Sequence, residues 1–350
     1  MNDNIILDTN AFVYLMNIEQ GKTNTMCIEK KTVDDKRFYW LCRNANHLFI
    51  TGQSLYELFW QSIRNTNDFQ DFAVLYDAIA KYRRIYNVNF SVLNDVDGIF
   101  DLKLFQEQYK NNKVDTRYFI EQKRRYECKK IKILLYTLYI SAIATILDYY
   151  NIYIPESYYG NITNYIESEL NEISKKYYSK IGISNRDYDK KIELILGKVW
   201  NDTINEIAIK ENILLKKFPE VEYNGSGTDY MHKLFFEIKK FDSSIFRRFD
   251  ETLDEIVENL KLRRGGKEES CLYLKRICKR SIYDRVKIRK NDGIDYSIMT
   301  CLAKEKIINE TDKDIDLINT FSLTFDANLY NFSKENSVLY KKEIYDELLK

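Results

Sequence analysis

Proline is nearly missing, with two residues among 350. Without the strongest helix breaker, and with Ile, Lys, Glu, Tyr and Leu abundant, the composition predicts a helix-rich fold. Histidine is equally scarce. His47 and His232 leave a histidine-pair ribonuclease or a Ser-His-Asp hydrolase little to work with. The six cysteines, Cys27, Cys42, Cys128, Cys271, Cys278 and Cys301, form no C-x-x-C pair or Cys/His quartet at zinc-ligand spacing. A chain of this length needs no disulfides, and a reduced cytoplasmic setting is expected. The amino terminus lacks a basic n-region and an apolar h-region. No stretch reaches the roughly 18 uncharged apolar residues of a membrane span, so neither export nor a membrane partner is expected. An excess of one charge is also lacking: 54 basic residues face 53 acidic ones. The net value therefore says nothing about a polyanionic partner.

The distribution of charge says more. The segment 263–290 is crowded with Lys and Arg, including Arg276, Arg280, Arg285, Lys287, Arg289 and Lys290, and a second basic run spans 123–132. Either offers phosphate contacts, and either is also what a solvated helix face looks like. The tyrosine pairs Tyr149-Tyr150, Tyr158-Tyr159 and Tyr177-Tyr178 carry a similar choice between stacking on unpaired bases and ordinary packing.

Periodicity gives the organisation. Asn4-Ile5-Ile6-Leu7 reads as a buried strand that delivers Asp8 at its carboxyl end, followed by a helix through Phe12, Leu15 and Met16. A second strand and helix begin at Leu48 and Ser54, with Thr51 or Ser54 as the cap. A third strand covers 88–93, before a turn at 94–98. Alternation of this kind implies an α/β fold with a central parallel sheet. From 102 to 282 long amphipathic segments take over, such as 131–150, 192–215 and 245–262, with breaks at 155–160, 223–227 and Gly265-Gly266. The expected organisation is thus a core from 1–101 and 283–350, interrupted by an all-α insertion at 102–282. In the second part of the core a helix opens at 291–295, a strand at 321–325 ends at Asp326, and a strand near 337–340 precedes a helix at 342–349.

Four acids fall at equivalent places in this pattern. Asp8 and Asp326 follow strands, and Glu57 and Asp295 lie in the first turns of helices. In open parallel sheets the carboxyl ends of the strands are where ligands bind. Carboxylates crowded together repel, so a cluster of four is tolerable chiefly around a cation. Magnesium suits hard oxygen ligands and phosphate substrates, and manganese suits them too. Metal-assisted hydrolysis needs no histidine.

Ile5-Ile6-Leu7-Asp8-Thr9-Asn10 resembles the opening motif of PIN domains. Phe49 to Leu58, which carries Glu57, is similar to the second motif, Asn291 to Met299 to the third, and Leu323-Thr324-Phe325-Asp326 to the fourth. The resemblance covers the two ends of the chain and implies a PIN-like Rossmannoid three-layer α/β/α core. It also implies a Mg2+- or Mn2+-dependent endoribonuclease, as in toxins and RNA processing, leaving 5′-phosphate and 3′-hydroxyl ends. Carried over, Asp8, Glu57, Asp295 and Asp326 would be the metal-site acids, with Asn10 and Thr324 orienting ligands or water. Asp292 joins the site or caps the helix, and the acid directly before the small apolar face favours Asp295 as the ligand. RNA would be the substrate. A protein antitoxin or other system component, and a second copy of the chain, are partners in keeping with a toxin or anti-phage defence role.

Bland readings stand beside these. Asp8 caps its helix, Glu57 is a surface residue, and Asp326 begins a turn with Asn328. The alternatives in function are a non-catalytic nucleic-acid-binding or assembly protein on a PIN-like scaffold, and a nuclease directed at DNA.

Overall fold

The computed structural model describes residues 3–22, 25–66, 89–93, 104, 107–108, 110–111, 113, 115–153, 156–179, 182–210, 219–264, 268–302, 306–308, 314–316, 319–337 and 339–349. Contacts divide the chain into two compact units. The first joins 1–123 to 297–350, and the second is the continuous stretch 124–296.

The first unit is built on a parallel sheet. Strands β1 (Asn4–Leu7), β4 (His47–Thr51), β5 (Asn89–Leu93) and β8 (Thr320–Leu323) lie in the order β5-β4-β1-β8, every pair parallel. All four residues of β1 are buried, as a strand flanked on both sides must be. Helix α1 (Thr9–Glu19) leaves directly from β1, and α3 (Gly52–Thr66) directly from β4. Thr51 caps α3, accepting from the Ser54 amide at 3.1 Å. Ile5, Leu7, Phe12, Leu15, Leu48, Ile50, Phe321 and Leu323 form one buried core with Phe38 and Leu41 of α2 (Asp35–Arg43). Two short antiparallel hairpins were not foreseen: β2 (Cys27–Ile28) with β3 (Lys31–Thr32), and β6 (Lys306–Ile308) with β7 (Asp314–Asp316).

The expected strand near 337–340 does not form among its described residues. Ser337 and Leu339 sit at φ 53° and 51°, in the left-handed region that a strand cannot use. Ser337 instead ends α11 (Ala327–Asn336), and the Leu339 carbonyl accepts from the Ser322 amide at the edge of β8. Helix α12 (Lys342–Leu348) follows. The expected turn at 94–98 lies outside the described residues.

The described regular structure of the second unit is helical: most of α4 (Thr116–Tyr150), then α5 (Glu156–Tyr177), α6 (Asn185–Lys210), α7 (Gly227–Lys239), α8 (Ile245–Arg264), α9 (Glu268–Tyr283) and the start of α10 (Lys290–Leu302). Gly160, expected in a break, lies inside α5, and the expected continuation of α6 past 210 lies outside the described residues. Helix α4 is apolar on all sides in its carboxyl half, and Ile131, Leu134, Leu138, Ile143 and Ile146 are buried there. One of its 18-residue windows reaches a mean hydropathy of 1.6, enough by length and composition to cross a membrane, with 67% of that window buried inside the protein. Tyr177 and Tyr178 are buried with their rings 4.9 Å apart, which sets packing above base stacking for that pair.

Helices α6 and α7 approach closely at Gly227, where a Cβ would meet the Leu196 side chain and the Gly197 backbone nitrogen, the latter at 2.7 Å. Backbone cannot step aside as a flexible side chain can. Gly227→Ala is expected to destabilise the protein by at least about 2 kcal/mol through overpacking, read as a lower denaturant midpoint at unchanged slope. An unchanged midpoint would mean that the two helices separate freely.

Candidate functional site

The chain runs from β1 to β4 and β5 on one side, then returns to lay β8 on the other side of β1. Strand order therefore reverses at β1, and the crevice at the carboxyl ends of such a reversal is where α/β sheets hold ligands. The residues gathered there are Asp8 after β1, Thr324 and Asp326 after β8, and Glu57 on α3.

Each acid is held by a defined bond. Asp8 is the N-cap of α1, its Oδ1 accepting from the Ala11 amide at 2.7 Å. Its Oδ2 accepts from the Thr324 hydroxyl, also at 2.7 Å. The same hydroxyl accepts from the Asp326 amide at 3.0 Å, so Thr324 binds the two acidic positions together. Thr324 is itself placed by Tyr345 of α12, whose hydroxyl accepts from the Thr324 amide at 3.2 Å and donates to the Ser322 carbonyl at 3.0 Å. Asp326 caps α11 through one oxygen, Oδ1, which accepts from Asn328 and Leu329. Glu57 Oε2 accepts from the Thr9 hydroxyl at 2.7 Å.

Electrostatics reinforce the grouping. Burial pushes the Asp8 carboxyl up from 3.8 to about 6, the bonds from Thr324 and Ala11 oppose that rise, and the charges of Asp326 and Glu57 add to it. Asp326 and Glu57 are thus close enough to Asp8 for their charges to act on it. Among the described residues, however, no group of three or more His, Cys, Asp or Glu side chains could hold a metal ion. Both Asp8 oxygens and one Asp326 oxygen accept from protein donors. The donor set fits a hard divalent cation in kind, because three carboxylates and two threonine hydroxyls offer only oxygen.

The other expected acids belong to the second unit. Asp295 Oδ2 accepts from the buried Tyr273 hydroxyl at 3.0 Å. Asp292 accepts from the Arg289 amide at 2.6 Å, the reach-back of a helix-capping acid, and burial raises its carboxyl to about 6. Asn10 is exposed, and the neighbouring Thr9 makes the bond to a site acid. Thr9 and Tyr345 were missed by the sequence reading. The Asp-Thr-Asn string pointed equally at Thr9, and nothing local marks Tyr345.

The basic segment divides. Lys290 is buried, 3.5 Å from Glu127 and with its ammonium 5.0 Å from the Tyr177 ring centre, so it is no surface phosphate contact. Arg285 and Lys287 share Asp229 at 2.5 and 3.4 Å. Arg276 and Arg280 are half-buried on α9, and Arg289 is exposed.

Comparison with known proteins finds no match: no family model, no curated protein and no solved structure matches the chain.

The raised Asp8 carboxyl has a consequence for stability. A folded-state value above that of the unfolded chain means that folding favours the protonated form, so stability is lost as pH rises from about 4 to about 6. The rise from 3.8 to about 6 corresponds to about 3 kcal/mol. Asp8→Asn removes that ionisation. Its stability relative to the wild type is expected to improve by about 2–3 kcal/mol between pH 4 and pH 7, measured by urea unfolding without divalent ions. A pH-independent difference would mean that Asp8 ionises normally.

Proposed function

We propose that the protein is a metal-dependent endoribonuclease with a PIN-like core, its site formed by Asp8, Glu57 and Asp326. The observation that carries this reading is the joining of Asp8 to Asp326 through Thr324 at the point where strand order reverses. The motif resemblance adds Asp295, which lies in the other unit. Magnesium or manganese, when bound, would supply charge neutralisation, an activated water and stabilisation of the phosphodiester.

The protein's own part is orientation and charge. Thr324 holds Asp8 in one rotamer and fixes the Asp326 backbone, while Thr9 holds Glu57. The free oxygens of Glu57 and Asp326 are the ones available to a cation. A cation held by Glu57 and Asp326 would offset the charges that help raise the Asp8 carboxyl, so metal binding and protonation of Asp8 would oppose each other. Setting in the reduced cytoplasm belongs to the same reading, and Cys27, Cys42, Cys128, Cys271 and Cys278 are free thiols.

A second reading has its own support. Asp8 and Asp326 both serve as N-caps, and caps alone would suit a non-catalytic nucleic-acid-binding scaffold.

Cleavage of labelled single-stranded RNA and DNA separates them. With magnesium or manganese the wild type is expected to cut RNA, with 5′-phosphate products, and EDTA to stop it. Asp8→Asn, Glu57→Gln and Asp326→Asn are each expected to lower the rate at least about 100-fold, and Thr324→Val about tenfold. The rate should fall as pH drops through about 6, the Asp8 value, with a midpoint that moves down as metal concentration rises. RNA binding without cleavage at any metal concentration would favour the scaffold, and cleavage confined to DNA would change the substrate class.

A further inference from the structure

A cavity of about 830 Å³ opens within the second unit between α6, the turn before α7 and the segment 284–289. Its volume is that of a pocket for a molecule of nucleotide size. Five cations line it: Arg186 and Lys190 from α6, and Arg285, Lys287 and Arg289 from the connecting segment.

The carboxylates nearby do not cancel all of this charge. Glu193 is buried and turned inward, accepting from the Ser226 hydroxyl at 2.9 Å, the Thr228 amide at 3.0 Å and the Thr228 hydroxyl at 2.8 Å. Asp189 accepts from the Lys290 amide at 2.8 Å, and burial raises its carboxyl against the lowering charges of Arg289 and Lys290. Asp229 is shared by Arg285 and Lys287. Among the described residues Lys190 pairs with the exposed Asp187, at 3.7 Å, a pair that contributes little. Arg186 and Arg289 make no ion pair among the described residues, and both are exposed at the cavity.

The walls are fixed rather than loose. Arg285 stands at φ 56°, a conformation that costs a non-glycine residue energy and persists only where its surroundings hold it. The Val286 amide donates to the Arg280 carbonyl at 3.0 Å, and the Ser281 hydroxyl donates to the Val286 carbonyl at 2.8 Å. The lining also contains two apolar side chains, Leu194, which is 45% exposed, and Val286, which lies between Arg285 and Lys287 in the chain. Cations and exposed apolar side chains lining one cavity suit a ligand with both an anionic and an apolar part.

We propose that this cavity binds a nucleoside polyphosphate, with the phosphates on Arg186, Lys190 and Arg289 and the base over Leu194 and Val286. The same chemistry is presented by a free nucleotide and by the 5′-triphosphate end of an RNA chain. The proposal is independent of the nuclease reading, because it needs none of the sheet-edge acids.

Calorimetric titration of the full chain in EDTA tests it, using ATP, GTP, ADP, AMP, adenosine and pyrophosphate, and RNA oligomers with a 5′-triphosphate or a 5′-hydroxyl. Affinity is expected to rise with the number of phosphates, to vanish for adenosine and to weaken as salt rises. Arg186→Glu and Arg289→Glu are each expected to lower it at least about tenfold, and Lys342→Glu, an equal charge change on the first unit, to leave it unaltered. Preference for the free triphosphate or for the triphosphate-ended oligomer identifies the source and supports the site either way. Equal losses from all three substitutions, RNA binding indifferent to the 5′ end, or no nucleotide binding at millimolar concentration would overturn it. Asp8→Asn should bind as the wild type does, so failure of the nuclease reading leaves this result readable.

Discussion

The parallel pairing of β1 with β8 is the constraint on which the first unit rests. It brings Asn4–Leu7 against Thr320–Leu323, residues 316 apart in sequence. Closing a loop of that length costs on the order of 5 kcal/mol in chain entropy if the intervening chain is flexible. Four consecutive ladder positions, the shared core of Ile5, Leu7, Phe321 and Leu323, and the buried Thr324–Asp8 bond offset that cost. The same pairing sets the chemistry. Without it Asp8 would be a solvated helix cap, and Asp326 a cap on an unrelated helix. With it, one hydroxyl spans both positions, and a carboxylate lies in a place where burial and neighbouring charge disfavour its ionisation.

How legible this was in sequence depends on the range of the interaction. The strands at 4–7, 47–51 and 320–323 are short apolar runs bounded by acids or turn residues, and their signal is local. So is the placement of Asp8, Glu57 and Asp326 at element ends. Tyr345 carries no local mark, because its part depends on α12 packing its ring close to β8, a contact that pattern reasoning over one segment does not reach. The strand expected near 337–340 failed for a related reason. Val338, Leu339 and Tyr340 have strand propensity, but Ser337 and Leu339 are held at positive φ, so the chain turns back and contributes the Leu339 carbonyl to the sheet edge instead of a strand.

Charge in the second unit shows the limit of reading composition along one dimension. The run of basic residues looks continuous in sequence, yet Lys275 pairs with Asp254, Lys279 with Asp250, Arg285 with Asp229 and Lys290 with Glu127. Acids from other helices neutralise much of it. Among the described residues Arg186 and Arg289 make no ion pair, although the charges of Asp187 and of Asp189 and Asp292 act on them, and no sequence pattern separates them from the arginines that are paired. Lys290 is the opposite extreme: its ammonium is buried between an acid and an aromatic ring, so it contributes to the packing of the unit and not to its surface potential.

The pairing of β1 with β8 also orders events in time. During synthesis the second unit, continuous over 124–296, emerges whole before β8 has been made, and domains generally fold as units as they leave the ribosome. The sheet edge that gathers Asp8, Thr324 and Asp326 has no such freedom, since two of those residues are translated hundreds of codons after the first. Until then β1 has an open side, and of the three acids only Asp8 and Glu57, with the bond from Thr9 to Glu57, can be in place. A nascent chain therefore lacks the Thr324 link between Asp8 and Asp326 for most of its synthesis, and truncation before β8 leaves β1 exposed to pairing with other chains.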